Sequence, residues 1–391
     1  MTSEEIDILF SPGVRAAIDD NIDRDPVSVA LDKRIPHAAL VATQVKYLQR
    51  ARTKLPSFYQ ARCIIPPLAF EQASSEGTAG QKQYSGGVCV DITCGLGVDT
   101  LALSKRFVHV IAVERSSELA YLAGRNFGLL GANNIHVVNM AAEDFLASGK
   151  PGHADLIYID PDRRGGDGRK MVRLEDCEPD VVAMLPRLRA MADKLVVKMS
   201  PLFDVDEAFR VFGEHTRVEV VSLGGECKEV LAETGDNIPS PRIAATIIGF
   251  GTVEYDAGQA APLADEERVP GDFSYLVVPD VALAKARIAK RYFAEHGFYI
   301  ESDSSYAFAT ALPGKFPGKA YRITEVVPYS PKKLKKELTK RAVKHIDLLK
   351  HDFPLSAADI VRQLGVKEGG AVKMAFTRMD GRSWAMFVEA D

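Results

Sequence analysis

The chain has 391 residues, 46% of them hydrophobic and 26% charged, an ordinary globular composition in more chain than one compact domain usually holds. Its formal net charge of −4 excludes a uniformly basic nucleic-acid coat but leaves room for a local basic patch. No apolar run approaches the ~20 residues that span a bilayer, and the acidic start, Met-Thr-Ser-Glu-Glu-Ile-Asp, lacks the apolar core of a secretory signal. The cysteines at 63, 89, 94, 177 and 227 show no CxxC spacing and cannot all pair, so neither a metal nor a disulfide framework is expected and the setting reads as a reducing cytoplasm.

From residue 1 to about 80 the pattern is helical, with Leu40, Val41, Val45 and Leu48 on one helix face. Lys46, Arg50, Arg52 and Lys54 decorate that stretch and read as a solvated basic face. Pro36, Pro56, Pro66 and Pro67 divide the region into short helices. After Gly86-Gly87, Val- and Ile-rich runs alternate with amphipathic stretches. Strands are predicted at 88–92, 109–113, 135–138, 156–159, 195–198 and 218–223, with helices at 99–106, 116–130, 179–192 and 204–212 between them. Strands apolar on both faces and separated by helices predict a parallel, doubly wound α/β sheet over residues 81–252, closed by the run Ile243 to Phe250. Residues 254–272 read as a linker. A small α+β unit follows over 253–325, with a helix at 281–296, and a last basic βαβ-like unit over 326–391. The helix of that last unit is read as carrying Lys332, Lys333, Lys335, Lys336, Lys340, Arg341, Lys344 and Lys350 against Glu337 and Asp347.

The first βα turn reads Asp91-Ile-Thr-Cys94-Gly95-Leu-Gly97-Val-Asp-Thr100. Glycines there let backbone approach a ligand, and the following helix offers free N–H groups. A dinucleotide fold wants glycine or alanine where Thr100 sits. An acid at the end of strand one followed by CGxG suits instead the methionine part of S-adenosylmethionine, with Asp91 holding the ammonium. Glu114 falls 17 positions after Gly97, where a carboxylate accepts both ribose hydroxyls. Arg115 is placed along the adenine edge. After strand three the usual acidic position holds Ala141, and Glu143 and Asp144 stand slightly later as substitutes.

Strand four ends in Asp160-Pro161-Asp162-Arg163-Arg164, in the loop that faces the transferred methyl group in this fold. Asp160 and Asp162 are expected to orient the acceptor and take its proton, and Arg164 and Lys198 to meet RNA. Asp162 and Arg163 stand where base N-methylating enzymes carry a proline and an aromatic ring, and the loop resembles more the Asp-Pro-Pro-Arg loops of RNA-modifying enzymes. Methylation of pyrimidine C5 requires a cysteine nucleophile. Strand five ends instead in Lys198-Met-Ser200-Pro, and Cys177 and Cys227 read as buried small hydrophobes, so a nitrogen or oxygen acceptor is expected. Gly224 to Glu229 reads as a loop on the cofactor side, and Glu71 to Ala79 as a flap over the methionine end or a helix cap.

With these residues in hand, the chain resembles the class I methyltransferases with a C-terminal THUMP-like domain. The likeness runs along the whole chain through EQASSEGTA, DITCGLGVDT, DPDRR, KMSP, GGECKE and the basic tail. It implies a Rossmann-like sandwich behind a helical N-terminal region and before ferredoxin-like and THUMP-like units. It also implies S-adenosylmethionine as cofactor and an RNA substrate, tRNA or rRNA. The basic helix with Lys332, Lys333, Lys335 and Lys336, together with Arg163 and Arg164, is expected to contact its phosphates. A protein or small-molecule acceptor, or a non-catalytic RNA-binding role, are the alternatives.

Overall fold

The structure, a computed structural model, describes residues 1–163, 174–259, 261–262 and 268–390. It divides into two units, Met1–Val218 with Lys228–Pro241, and Glu219–Cys227 with Arg242–Asp391.

The first unit opens with helices α1 (Ser3–Phe10), α2 (Pro12–Asp20), α3 (Pro26–Leu31), α4 (Ala38–Lys54), α5 (Pro56–Gln60), α6 (Pro67–Gln72) and α7 (Glu76–Ala79). Prolines start α2, α3, α5 and α6, at positions where their missing N–H costs nothing. In α4, Val41, Val45 and Leu48 are fully buried. They share one core with Leu96 and Leu101 next to the glycine turn and with Leu122 and Phe127, each such side chain contributing roughly 1.5–3 kcal/mol. The helical layer therefore buttresses the turn from behind. The basic face expected on α4 is solvated at Lys46, while Arg50 pairs with Glu71, Arg52 pairs with Asp23, and Lys54 donates to the Phe70 carbonyl at 2.5 Å.

The sheet follows as β1 (Gly86–Asp91), α8 (Val98–Ser104), β2 (Phe107–Glu114), α9 (Ser117–Leu129), β3 (Ile135–Asn139), α10 (Ala142–Ala147) and β4 (Ala154–Ile159). A short antiparallel ribbon comes next, β5 (Asp162–Arg163) with β6 (Cys177–Glu178). Then come α11 (Val181–Met191), β7 (Ala192–Met199), α12 (Val205–Phe212), β8 (Thr216–Leu223) and β9 (Glu226–Thr234). Within this unit the strand order is β3-β2-β1-β4-β7-β9. The first five are parallel, as expected, and β9 runs antiparallel to β7. The order reverses at β1, so a crevice opens beyond the carboxyl ends of β1 and β4, the place where this architecture binds ligands.

Two local expectations need correcting. Residues 142–147 form a helix that was not predicted, too short to show a period. The Gly224–Glu229 segment is not a loop: Gly224 and Gly225, at φ 63° and 81°, turn the chain into β9, so Glu229 sits in a strand. The charged residues of β9 hide it from a hydropathy reading, yet Glu229 and Glu233 are buried because Lys82 and Lys194 pair with them.

The second unit contains β10 (Arg242–Ile247), the strand expected to close the first sheet, paired antiparallel with β11 (Gly251–Asp256). It continues through β12 (Tyr275–Pro279), α13 (Val281–Lys285), α14 (Ala289–Glu295), β13 (Tyr299–Ile300), β14 (Ala307–Ala309), β15 (Gly318–Pro328) and α15 (Pro331–Lys340). It ends with β16 (His345–Lys350), α16 (Ala357–Leu364), β17 (Lys367–Glu368), β18 (Val372–Met379) and β19 (Arg382–Ala390). The helix predicted at 281–296 is broken at Arg287, which takes a left-handed φ of 57°. One sheet of order β13-β14-β12-β15-β19-β18-β16-β17 spans both expected C-terminal units, and the expected boundary at 325/326 falls inside β15. The basic helix is shorter than expected, since Lys344 and Lys350 lie outside α15.

Candidate active site

The crevice encloses a cavity of about 660 Å³ at the ends of β1, β2, β4 and β7, the size of a small-molecule cofactor site. Its floor is the turn after β1. Gly95 and Gly97 have φ 56° and 86°, and a Cβ on Gly97 would lie 2.4 Å from the Phe127 ring. At Gly97 glycine is therefore required twice, by backbone conformation and by the close approach of α9.

Asp91 ends β1 and is buried. One of its oxygens accepts from the Thr93 N–H at 3.0 Å and the other from the Thr100 hydroxyl at 2.6 Å. Burial, reinforced by the charges of Asp99 and Asp160, pushes its carboxyl up to about 7. No cation pairs with it among the described residues, so the wall offers a fixed carboxylate in want of a positive group. Glu114 ends β2, with one oxygen accepting from the Gly95 N–H at 2.9 Å and the other from the Ser116 N–H at 2.8 Å. It holds the glycine turn against strand two while facing the cavity.

The cavity wall brings together Asp91, Cys94, Gly95, Gly97, Glu114, Arg115, Glu143, Asp160, Asp162 and Lys198 from the residues expected at the site. Thr100, Asp144 and Pro161 do not line it. Thr100 is buried behind Asp91 and acts through it, and Asp144 lies exposed in the first turn of α10. Arg115 pairs with Glu178 at 2.7 Å, and both line the cavity. Arg164, and Arg163 apart from its backbone, lie outside the described residues. Lys332, Lys333, Lys335 and Lys336 lie on α15 in the second unit, exposed and without an ion-pair partner among the described residues.

Lys198 requires a correction. Expected to meet RNA, its ammonium is instead held inside by Asp160, by Asp99 at 3.3 Å and by the Ser74 hydroxyl at 2.9 Å. A lysine engaged on three sides has no donor to extend to a distant phosphate. Burial opposes its charge, but Asp99, Asp160 and Glu229 override that cost and hold the ammonium above its ordinary range. Asp99 is held well below the usual carboxylate range, because Lys82 and Lys198 outweigh its burial.

Lys82, Asp99, Ser74, Glu229 and Tyr158 were not singled out as site residues. Four of them lie in segments that were noticed as motifs or strand ends: Ser74 in EQASSEGTA, Asp99 in the glycine turn, Tyr158 before DPDRR, and Glu229 in GGECKE. Lys82 stands in the polar run Gly80-Gln-Lys-Gln83, where nothing in the sequence marks it. Ser75, by contrast, is a helix cap, accepting from the Thr78 N–H at 3.1 Å. Among the described residues no cluster of three or more His, Cys, Asp or Glu is arranged to hold a metal ion. No helix among them is long and apolar enough to cross a membrane.

A family model described as THUMP domain-like matches residues 318–390. The chain is 25% identical over 344 residues to an uncharacterized S-adenosylmethionine-dependent methyltransferase of Mycobacterium tuberculosis, covering 86% of this chain and 91% of that protein. A crystal structure from Porphyromonas gingivalis W83, described as that of a methyltransferase, superposes with a TM-score of 0.80 and 26% identity over 96% of both chains. A shorter likeness, 29% identity over 163 residues, links 36% of this chain to 44% of a tRNA/tmRNA (uracil-C(5))-methyltransferase of Neisseria meningitidis.

Proposed function

We propose that this chain, a class I S-adenosylmethionine-dependent methyltransferase ending in a THUMP-like domain, methylates a base nitrogen or oxygen of tRNA or rRNA in the cytoplasm. The observation that carries an RNA substrate is the surface of α15. Lys332, Lys333, Lys335, Lys336 and Lys340 are exposed there, unpaired among the described residues, within the THUMP-like segment. Such a surface gains affinity for a phosphate backbone by releasing counterions. The partial relative named for tRNA and tmRNA supports the same substrate class.

The thiols support a nitrogen or oxygen acceptor. Uracil C5 chemistry needs a cysteine thiolate at the base. Of the five cysteines, Cys94 alone lines the cavity, and burial raises its thiol well above 9. Cys63, Cys89 and Cys177 are buried elsewhere, and Cys227, half-buried in β9, does not line the cavity. A nitrogen or oxygen acceptor needs no thiolate.

In this reading Asp91 takes the ammonium of the cofactor, Glu114 the ribose hydroxyls, and Glu143 with the neighbouring backbone the adenine side. The bound cofactor supplies an electrophilic methyl group. Asp160 orients the acceptor and accepts its proton, Asp162 shares the wall beside it, and Pro161 and Arg163 shape the same loop. The test is to incubate the protein with labelled S-adenosylmethionine and RNA from a strain lacking it, and to locate the label by mass spectrometry. Label in a defined nucleotide supports the reading. Label only in a metabolite or protein fraction of the same cells overturns the RNA substrate, and label on uracil C5 overturns the acceptor.

A further inference from the structure

One wall of the cavity is built from ions. Lys82, with a fully buried side chain, reaches Asp99 at 2.9 Å and Glu229 at 2.7 Å. Lys198 holds the other oxygen of Asp99 at 3.3 Å and also the Asp160 carboxylate. The Ser74 hydroxyl donates to that same Asp99 oxygen at 2.9 Å. Charges thus alternate along a single line, Glu229–Lys82–Asp99–Lys198–Asp160. The side chains of Glu229, Lys82, Asp99 and Lys198 are 2%, 0%, 11% and 12% exposed, whereas Asp160 is 35% exposed. The line therefore surfaces at one carboxylate, on the cavity side.

Buried ion chains are a poor way to gain stability, because desolvation consumes most of the attraction and well-packed apolar side chains do as well or better. What such a chain secures is one geometry and one charge state. Ammonium groups fastened at both ends have no rotamer freedom left, so the carboxylate at the open end stays aimed and ionised.

We infer that Lys198, locked by Asp99, Lys82 and Glu229, is a positioning residue for methyl transfer that holds the Asp160 carboxylate ionised at the cavity wall. This rests on the reading of Asp160 as the proton acceptor. In the transfer the carbon–sulfur bond breaks with its electron pair left on sulfur, and a bond forms from carbon to the acceptor nitrogen or oxygen. The N–H or O–H bond of that atom then breaks, and its proton moves to Asp160. The positive charge lost at sulfur is balanced by the negative charge lost at Asp160.

The charged and titratable groups facing Asp160 are Lys198 from β7, Asp99 from α8, Lys82 from the segment before β1, Asp91 from β1 and Tyr158 from β4. Burial pushes the Asp160 carboxyl up, and Lys198 is the leading influence pulling it down. The test follows the full-length protein with carbon-13-labelled aspartate carboxyls, Asp160 being assigned by the signal lost in Asp160→Asn. In Lys198→Gln the Asp160 midpoint rises by about one pH unit or more, and in Lys198→Arg by less than about half a unit. Asp99→Asn removes a like charge and releases Lys198 toward Asp160, so there the midpoint falls. It carries the test if Lys198→Gln does not fold.

Methyl transfer is read on whichever cellular fraction takes the label, RNA or metabolite. Lys198→Gln loses more activity at pH 7 than at pH 9, with the KM for S-adenosylmethionine within about threefold of wild type, and Lys198→Arg recovers most of the loss. An unmoved Asp160 midpoint, or equal losses at both pH values, overturns the inference. Absence of label from RNA while the midpoints move as expected overturns only the RNA substrate.

Discussion

Lys82 and Lys198 in the first unit and the lysines of α15 in the second carry the same ammonium group under opposite conditions. Lys82 is buried and Lys198 half-buried, and each meets two carboxylates. Those of α15 stand in water with none among the described residues. In the interior a charge is tolerated only when its partners are fixed, so it specifies geometry. On the surface the charge is free and screened, so it offers a long-range field that any phosphate can use. A run of lysines therefore marks a surface, whereas the lysines that shape the reaction site are scattered singly along the chain.

The largest expected effect lies at the buried end of this contrast. Asp91→Ala removes a buried carboxylate of the wall that has no cation of its own among the described residues, and S-adenosylmethionine affinity should fall about 100- to 1,000-fold by calorimetry. An unchanged dissociation constant would break the assignment of Asp91 to the ammonium. Gly97→Ala imposes a left-handed alanine and a collision with Phe127, costing about 2–4 kcal/mol in denaturant unfolding. Gly97→Ala with Phe127→Leu should recover part of that loss, and no recovery would assign the whole effect to the backbone angle.

At the exposed end, joint replacement of Lys332, Lys333, Lys335 and Lys336 by Glu should weaken RNA binding roughly 10- to 100-fold near 0.15 M salt and flatten its salt dependence. Cofactor affinity should stay as in wild type. RNA binding indifferent to salt in the wild-type protein would sink the role given to α15.

The smallest effect is a pH dependence. The Asp91 carboxyl is raised from 3.8 to about 7 in the folded protein. The folded state therefore holds this proton more tightly than the unfolded chain, a stabilising term complete below about pH 4 and lost as pH rises through about 7. Asp91→Asn should accordingly raise the Tm at pH 8 by a few degrees relative to wild type and leave it nearly unchanged at pH 4. Cofactor affinity in the wild-type protein should decline below pH 7, by at most about tenfold per pH unit, as Asp91 takes up its proton.

Much of the first unit was legible because its signals are local. The strands β1 to β4 and β7 are short apolar runs, and β9 escaped because Glu229 and Glu233 look like surface residues until Lys82 and Lys194 are brought to them. Asp91, Gly95, Gly97 and Glu114 were readable for the same local reason: their spacing is tied to a strand, a turn and a strand end. Thr100 could be recognised as a departure from a dinucleotide turn, but its hydrogen bond to Asp91 could not. Lys198 was misread because a lysine beside a strand end looks solvent-facing in sequence.

The parallel sheet, the glycine turn and the basic surface helix are written locally, since hydrophobic period, turn glycines and charge density are properties of neighbouring residues. The ion chain behind the cavity is not local. Lys82 meets Glu229 across 147 residues and Lys198 meets Ser74 across 124. Those contacts exist only once the sheet has closed and the helical layer has docked on it, because each ion is affordable in the interior solely through partners delivered by other elements.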